Sequence, residues 1–438
     1  MTIPPLASWC SLVRPFAGSD RLIRNALFLA TFIQVWLTAS PFPDLSDASA
    51  IEASTDGNVP GQIIAIVLTG ALGAFALAYQ LRVMVRVVTP ILVAVFLWFA
   101  CSAVLSLHPD LAARRLVLAS FVMFNAAMFV FLPQDRIHFA RLLAIGALFV
   151  LALCYAGVIF APDFSIHQVT DVDEPQLAGN WRGFFAHKNG AGAGMAILII
   201  FGIYIFRRLS AGLGSLVVAL ATFFLVFTEA KSAMILLPLA LVFSVVFVRL
   251  RNTAAKLIVL IGVPAVIGVL TIGSVQFAAV NTLVSNLMPD PTFTGRTDIW
   301  QFSLDHIAQH PIVGFGFQAF WGTSELVSSW TWLGSWGYRA SDAHNGYLNI
   351  AVMTGLVGLV LTLGWVFVRP FIDHVRTPPR SVDPALNLMF IQTWLFGLYL
   401  CGFESELFKN GSVVWFMTAV SIFGLRLQAS ANNVGESA

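Results

Sequence analysis

Charge is what this chain has least of. Only 11% of its 438 residues are Asp, Glu, Lys or Arg, against 58% hydrophobic residues. A soluble domain normally carries about 25% charged residues. Such a surface needs a solvent other than water. Cysteine is scarce as well. Cys10, Cys101, Cys154 and Cys401 are scattered, and three lie in or beside apolar runs. That spacing excludes a disulfide framework and a zinc motif. A long basic run is missing, and the net charge is +2. Nucleic acid is therefore not an expected partner. A cleavable signal pattern is not expected either, because the first apolar run is followed by many others.

What is present is a series of long apolar runs. A spanning helix needs roughly 20 mostly apolar residues. About twelve runs qualify, centred on 22–39, 61–80, 87–107, 116–132, 139–161, 190–206, 212–228, 233–248, 256–280, 347–368, 385–403 and 413–427. The fold class expected is an all-α polytopic membrane protein of about twelve transmembrane helices, with a large periplasmic loop containing short helices. Residues 1–280 would hold spans one to nine and a loop at 162–189. The large loop would be 281–346, spans ten to twelve 347–427, and a disordered cytoplasmic tail 428–438.

With a cytoplasmic N-terminus, two thirds of the 24 Lys and Arg fall on the cytoplasmic side. The positive-inside rule then puts both termini in the cytoplasm. Arg114 and Arg115 stand against the bias. The span interiors hold almost no ionisable residue, and Asn125 and Gln392 read as interhelical hydrogen-bonding groups. Ion-coupled transporters usually need charged groups at mid-membrane. Chemistry is thus expected at the outer surface.

Cations gather there. Arg182 and Lys188 lead with His187 into the sixth span, where Asn189 reads as the helix cap. Lys231 lies between two spans, and Arg296 opens a segment of the long loop. Guanidinium and ammonium groups at a membrane surface suit a pyrophosphate. Lipid headgroup binding is the alternative. Residues 298–309 read as a short amphipathic helix capped by Thr297 and ended by Pro311. His306 and His310 are four apart, which leaves open a metal site or a helix C-terminal role. Trp321, Trp330, Trp332, Trp336 and Tyr338 could stack on sugars or form an interfacial belt. His344, at the rim of the tenth span, could take a proton near neutral pH.

These residues resemble the bacterial O-antigen ligase and exopolysaccharide polymerase (Wzy-type) family. The clearest segment is His344-Asn345, nine residues, then Gly355-Leu356-Val357-Gly358. Gly295-Arg296-Thr297-Asp298-Ile299-Trp300 with His310 to Gly316, and Arg182 to Asn189, resemble it too. Two features depart from the ligases. Trp300 stands where an Arg-x-x-x-Leu run has its Leu, and Lys231-Ser232 stands where many members carry Ser-Arg. The run Gln318-Ala319-Phe320-Trp321 and the Lys-Ser pair look nearer to rhizobial-type exopolysaccharide polymerases.

The resemblance implies a glycosyltransferase of the bacterial inner membrane with its active site on the periplasmic face. The donor would be a glycan on undecaprenyl pyrophosphate. The acceptor would be a sugar hydroxyl on another repeat unit (polymerase) or on lipid A-core (ligase). Arg182 and Arg296 would hold the pyrophosphate and His344 would act as base. Lys188, Lys231, Asn345, Trp321 and Arg339 would touch substrate. Neither metal nor cofactor is implied. Membrane lipids, a flippase and a chain-length regulator are the implied partners. A flippase of lipid-linked sugars is the competing class, and it should carry its cations at membrane depth.

Overall fold

The computed structural model describes residues 18–37, 41–46, 59–79, 85–172, 174–323, 341–378 and 381–435. Among them the protein is built from α-helices, and the β-type pairing is the single bridge Ile166–Trp181. The helices are α1 Gly18–Trp36, α2 Val59–Tyr79, α3 Pro90–Val104, α4 Pro109–Phe131, α5 Arg136–Phe160, α6 Lys188–Arg208, α7 Ala211–Thr228 and α8 Lys231–Arg249. Then follow α9 Thr253–Gln276, α10 Ala278–Leu287, α11 Arg296–Gln309, α12 Gly346–Leu363, α13 Arg369–Arg376, α14 Pro384–Leu400 and α15 Val413–Gly435.

Each of the twelve apolar runs lands on a helix. Among the described residues nine helices are long and apolar enough to cross a membrane. α3 and α14 are shorter apolar helices, and α1 carries Asp20, Arg21 and Arg24 near its start. The chain is a multi-pass membrane protein. Helices α6, α14 and α15 form the centre, with every residue of α14 from Ala385 to Leu400 buried. Their neighbours α4, α5, α7 and α8 pack around them. Helices α2 and α9 turn Ile63, Val67, Ile258, Val266 and Val269 outward. In lipid that exposure costs nothing, and a continuous apolar surface is what the composition required.

Three boundaries differ from the sequence reading. Helix α4 begins at Pro109 rather than near 116, because Pro109 suits the first helical position. Arg114 and Arg115 therefore sit within a helix. The apolar run 256–280 breaks at Phe277, which has an extended backbone, into α9 and α10. The tail expected to be disordered from 428 instead prolongs α15 to Gly435, with Ser430 Oγ donating to the Arg426 carbonyl.

The helix ends alternate, so the bundle has two distinct polar ends. At one end Asp383 binds Arg136 and Arg208, each at 2.7 Å, and Asp373 binds Arg369 and Arg426. The other end gathers the loops at 162–187, 290–295, 311–320, 341–345 and 401–412.

Candidate functional site

The loop entering α6 is held by its own polar groups. The His187 side chain, not Asn189, caps the helix by accepting from the Asn189 N–H. His187 also pairs with Glu174 at 2.8 Å, and buried His167 pairs with Asp171 at 2.8 Å. Asn189 is freed to reach away, and its Nδ2 donates to Glu404 Oε1 at 3.1 Å. Arg182 is 0% exposed. Its guanidinium donates to the carbonyls of Pro43 (2.9 Å) and Phe185 (3.2 Å). Burial pushes that group below its ordinary pKa, with Asp171 and Asp44 opposing.

Arg296 opens α11. The helix is capped by Gly295 in the left-handed region, and Thr297 lies inside the first turn rather than at the cap. Phe293, Thr294 and Gly295 all have positive φ. Asp290 holds this turn by accepting from the Thr292 and Thr294 N–H groups. The turn aims Arg296, 15% exposed, at the loop between α14 and α15. There Nη2 donates to Glu404 Oε1 at 3.0 Å and Nη1 to the Phe403 carbonyl.

His344 precedes α12 and takes a left-handed φ of 46°. Asn345 caps that helix by accepting from the N–H groups of Tyr347 and Leu348, and its Nδ2 donates to the Gly402 carbonyl. His344 Nδ1 lies 3.6 Å from Glu404 Oε2 and 3.9 Å from Asp342 Oδ1. Its N–H donates to Asp342 Oδ1 at 2.9 Å. Lys409 Nζ closes the row at 3.0 Å from Asp342 Oδ2.

The charges are thus paired around one small space. Burial would raise Glu404, but Arg296 and His344 outweigh it and hold its carboxyl at about 2. For Asp342 burial is likewise overcome, by Lys409 and His344, and the group sits below the usual carboxylate range. Beside Asp342, the Lys409 ammonium is held above its ordinary value. Burial pushes Glu406 up, against the pull of Lys409.

Gly355, in the segment after His344, has a structural role. Helix α12 is broken at Gly355, where φ is 69° and ψ −179°. That backbone region is essentially closed to other residues. The break releases the carbonyls of Val352 and Met353, which accept from the N–H groups of Phe315 (3.0 Å) and Gly316 (2.9 Å). Leu356 N–H donates to the Pro311 carbonyl at 2.7 Å. Ser102 of α3 donates to the carbonyls of Val313 and Met353. The loop that follows α11 is thereby stitched into the break. Arg115, which ran against the charge bias, donates to the Gln318 carbonyl of the same loop, and Asn410 returns a bond to the Arg115 carbonyl. It is a brace for the loops at this end.

Of the residues singled out from the sequence, Arg296 and His344 meet through Glu404, and the α6 N-terminus arrives beside them. Lys188 lies one residue before Asn189. Its ammonium donates to the Glu229 carbonyl at 3.4 Å and, with the Asn180 amide turned so that its oxygen faces the ammonium, to that oxygen at 2.8 Å. Lys231 is exposed at the start of α8, close enough to Lys188 for mutual repulsion. Three of the expected contacts are engaged within the protein. Arg182 is fully buried, and its Nη1 and Nη2 bind backbone carbonyls while Nε has no hydrogen-bond partner among the described residues. Asn345 is buried and committed to capping and to the 402 loop. Trp321 is buried, donates to Asn349 Oδ1 at 2.6 Å, and meets Phe320 edge to face. Arg339, Trp330, Trp332, Trp336 and Tyr338 lie outside the described residues. His306 is packed on Phe302 and bonded to its carbonyl, and His310 packs on Phe315. Among the described residues no group of three or more His, Cys, Asp or Glu could hold a metal ion.

Sequence reading missed Glu404, Asp342 and Lys409. A signal existed: Glu404, Glu406 and Lys409 interrupt two apolar runs with three charges in six residues.

Residues 216–363 match the family model described as O-antigen ligase. The chain is also 33% identical over 129 residues to the exopolysaccharide production protein ExoQ of Rhizobium meliloti (strain 1021). That likeness covers 28% of this chain and 29% of the relative, so it spans less than a third of the relative's length. The matched family segment runs from α7 through the broken helix α12 and includes Arg296, His344 and Gly355. Taken with the membrane bundle, the two likenesses support the O-antigen ligase/Wzy-type family for this chain.

Proposed function

We propose that this protein is a glycosyltransferase of polysaccharide biosynthesis. It would join glycans carried on a polyprenyl diphosphate at the periplasmic face of the bacterial inner membrane. The observation that carries the reading is the arrangement of Arg296, Glu404 and His344 at one polar end of the bundle. Arg296 supplies a planar cation suited to two diphosphate oxygens. His344 supplies a base beside it. Two carboxylates facing Nδ1 favour the proton on that nitrogen and leave Nε2 basic.

In the reaction the acceptor hydroxyl oxygen bonds to the anomeric carbon. The bond from that carbon to the diphosphate oxygen breaks, and its electron pair leaves with the diphosphate. The hydroxyl proton passes to His344 Nε2. Arg296 stabilises the charge gathering on the leaving diphosphate. Asn189 and the nearby Lys188 add donors at the same edge. Arg182 is assigned the role of fixing the 162–187 loop. Undecaprenyl is the carrier we assign, and no cofactor is called for.

The polymerase reading is preferred over the ligase. The relative's name speaks of exopolysaccharide production, and Lys231-Ser232 and the 318–321 run point the same way. In cells depending on this protein, Arg296→Ala and His344→Ala are expected to abolish polymer while the protein stays in the membrane at its normal level. Single repeat units should accumulate on the lipid carrier. Long chains on the carrier with none on lipid A-core would identify a ligase instead. Full polymer in both variants would reject the assignment.

A further inference from the structure

Glu404 serves two partners with one carboxylate. Oε1 is held by Arg296 at 3.0 Å and by Asn189 at 3.1 Å. Oε2 faces His344 Nδ1 at 3.6 Å, just outside hydrogen-bonding range. That Nδ1 is buried and, among the described residues, without a hydrogen-bond partner. The second carboxylate near His344 is not free to serve it. Asp342 is anchored on one oxygen by the His344 N–H and on the other by Lys409. Glu404 is therefore the carboxylate that can move, and less than 1 Å separates it from a bond to the imidazole.

The donors that hold Glu404 are also those that would meet a diphosphate. Arg296 and Asn189 converge on Glu404 Oε1 as they would on a phosphate oxygen. Two anions cannot share them at 3 Å without strong repulsion. A diphosphate arriving there must displace the carboxylate. Once displaced, the carboxylate faces His344, where its charge is worth most after the imidazole has taken the acceptor proton.

We propose that Glu404 is a positioning residue that holds the place of the diphosphate on Arg296 and Asn189 and, when displaced by it, engages His344 Nδ1, so that donor binding activates the base. This rests on the reading of Arg296 as the diphosphate anchor. It adds that the site is self-occupied and that its two halves are coupled. The other charged groups near His344 are Asp342 on its own loop, Lys409 and Glu406 on the 401–412 loop, and Glu174 with His187 on the 162–187 loop.

The test is Glu404→Gln in the full chain, because glutamine keeps an oxygen for Arg296 and Asn189 and removes only the charge. Inorganic pyrophosphate is the probe, with its Kd measured on detergent-purified protein. Polymer yield per protein is measured in cells. A site that need not expel its own anion binds more tightly, by about tenfold if one molecule in ten is otherwise open. Loss of support for the base should lower polymer formation by about 10²-fold. Glu404→Asp, too short to span both partners, should move both quantities the same way by less.

Opposite movement of affinity and turnover is not expected of a carboxylate that merely holds the loop. Weaker or unchanged pyrophosphate binding by Glu404→Gln would overturn the self-occupied site. Unchanged polymer would overturn the link to His344. Failure of the underlying reading looks different: pyrophosphate binding would survive Arg296→Ala, and polymer would survive His344→Ala.

Discussion

Gly355→Ala tests how the site is held. Gly355 sits at φ 69°, ψ −179°, and an added Cβ would lie 1.9 Å from the Ile312 carbonyl oxygen and 2.2 Å from its carbon. Both obstacles are backbone, so no rotamer change relieves them. The backbone region alone costs about 1–3 kcal/mol for a residue with a side chain. Moving the 311–316 loop away gives up the bonds from Phe315, Gly316 and Leu356. At about 0.5–1.5 kcal/mol each, these add roughly 1.5–4.5 kcal/mol. A total of about 2.5–7.5 kcal/mol rivals the whole stability of many proteins.

The assay is thermal denaturation of detergent-purified protein by intrinsic fluorescence, alongside its level in membranes. Gly355→Ala should lower the midpoint sharply or prevent accumulation. Gly262→Ala and Gly268→Ala in α9 are internal controls. Nothing lies within 4 Å of a Cβ at either position, so both should be neutral or raise stability by up to about 1 kcal/mol. A Gly355→Ala midpoint equal to wild type, or equal losses in the α9 controls, would refute the reasoning.

Two further predictions concern the loops and the charges. Arg182→Ala should lower the thermal midpoint and membrane level together with polymer, because it strands the Pro43 and Phe185 carbonyls. Arg296→Ala should remove polymer at normal level, and the reverse pattern in cellular assays would restore Arg182 to the diphosphate. The Glu404 carboxyl is held at about 2, down from 4.5. Its stabilising contribution is therefore complete above about pH 4.5 and is lost as pH falls toward 2. Melting curves across that window should fall in the wild type and flatten in Glu404→Gln. Glu406 is shifted upward by burial, so its charged form opposes folding at neutral pH and Glu406→Gln should raise the midpoint there. Identical pH profiles for wild type and Glu404→Gln would contradict the assigned pairing.

Much of the fold could be read directly, because spanning helices are written locally as long apolar runs. The misplaced boundaries share a cause. At Pro109 and Phe277 the backbone sets a helix boundary, and at Gln428 the helix runs on, so none of the three follows where apolarity stops. The site was only half legible. Arg296 and His344 stood out as polar residues in motif-bearing loops. Glu404 did not, since its meaning depends on Arg296, 108 residues earlier, and pairing over that distance leaves no local pattern. Arg182, Asn345 and Trp321 show the converse. Each has the chemistry of a ligand contact, yet folding engages Arg182 Nη1 and Nη2 with carbonyls, Asn345 with a helix cap and Trp321 with Asn349. The paired Gly355 and Gly358 belong to that lesson too. Gly355 marks a break that accepts another loop's backbone, and a Cβ at Gly358 would strike the Thr354 side chain, neither of which spacing alone reveals.

The most direct test is a structure of the full chain with a polyprenyl diphosphate bound. The account predicts a phosphate within hydrogen-bonding distance of Arg296 and Asn189, with the Glu404 carboxylate moved onto His344 Nδ1. A diphosphate seated elsewhere, on Lys188 and Lys231 alone or at the Asp383 end of the bundle, would contradict it.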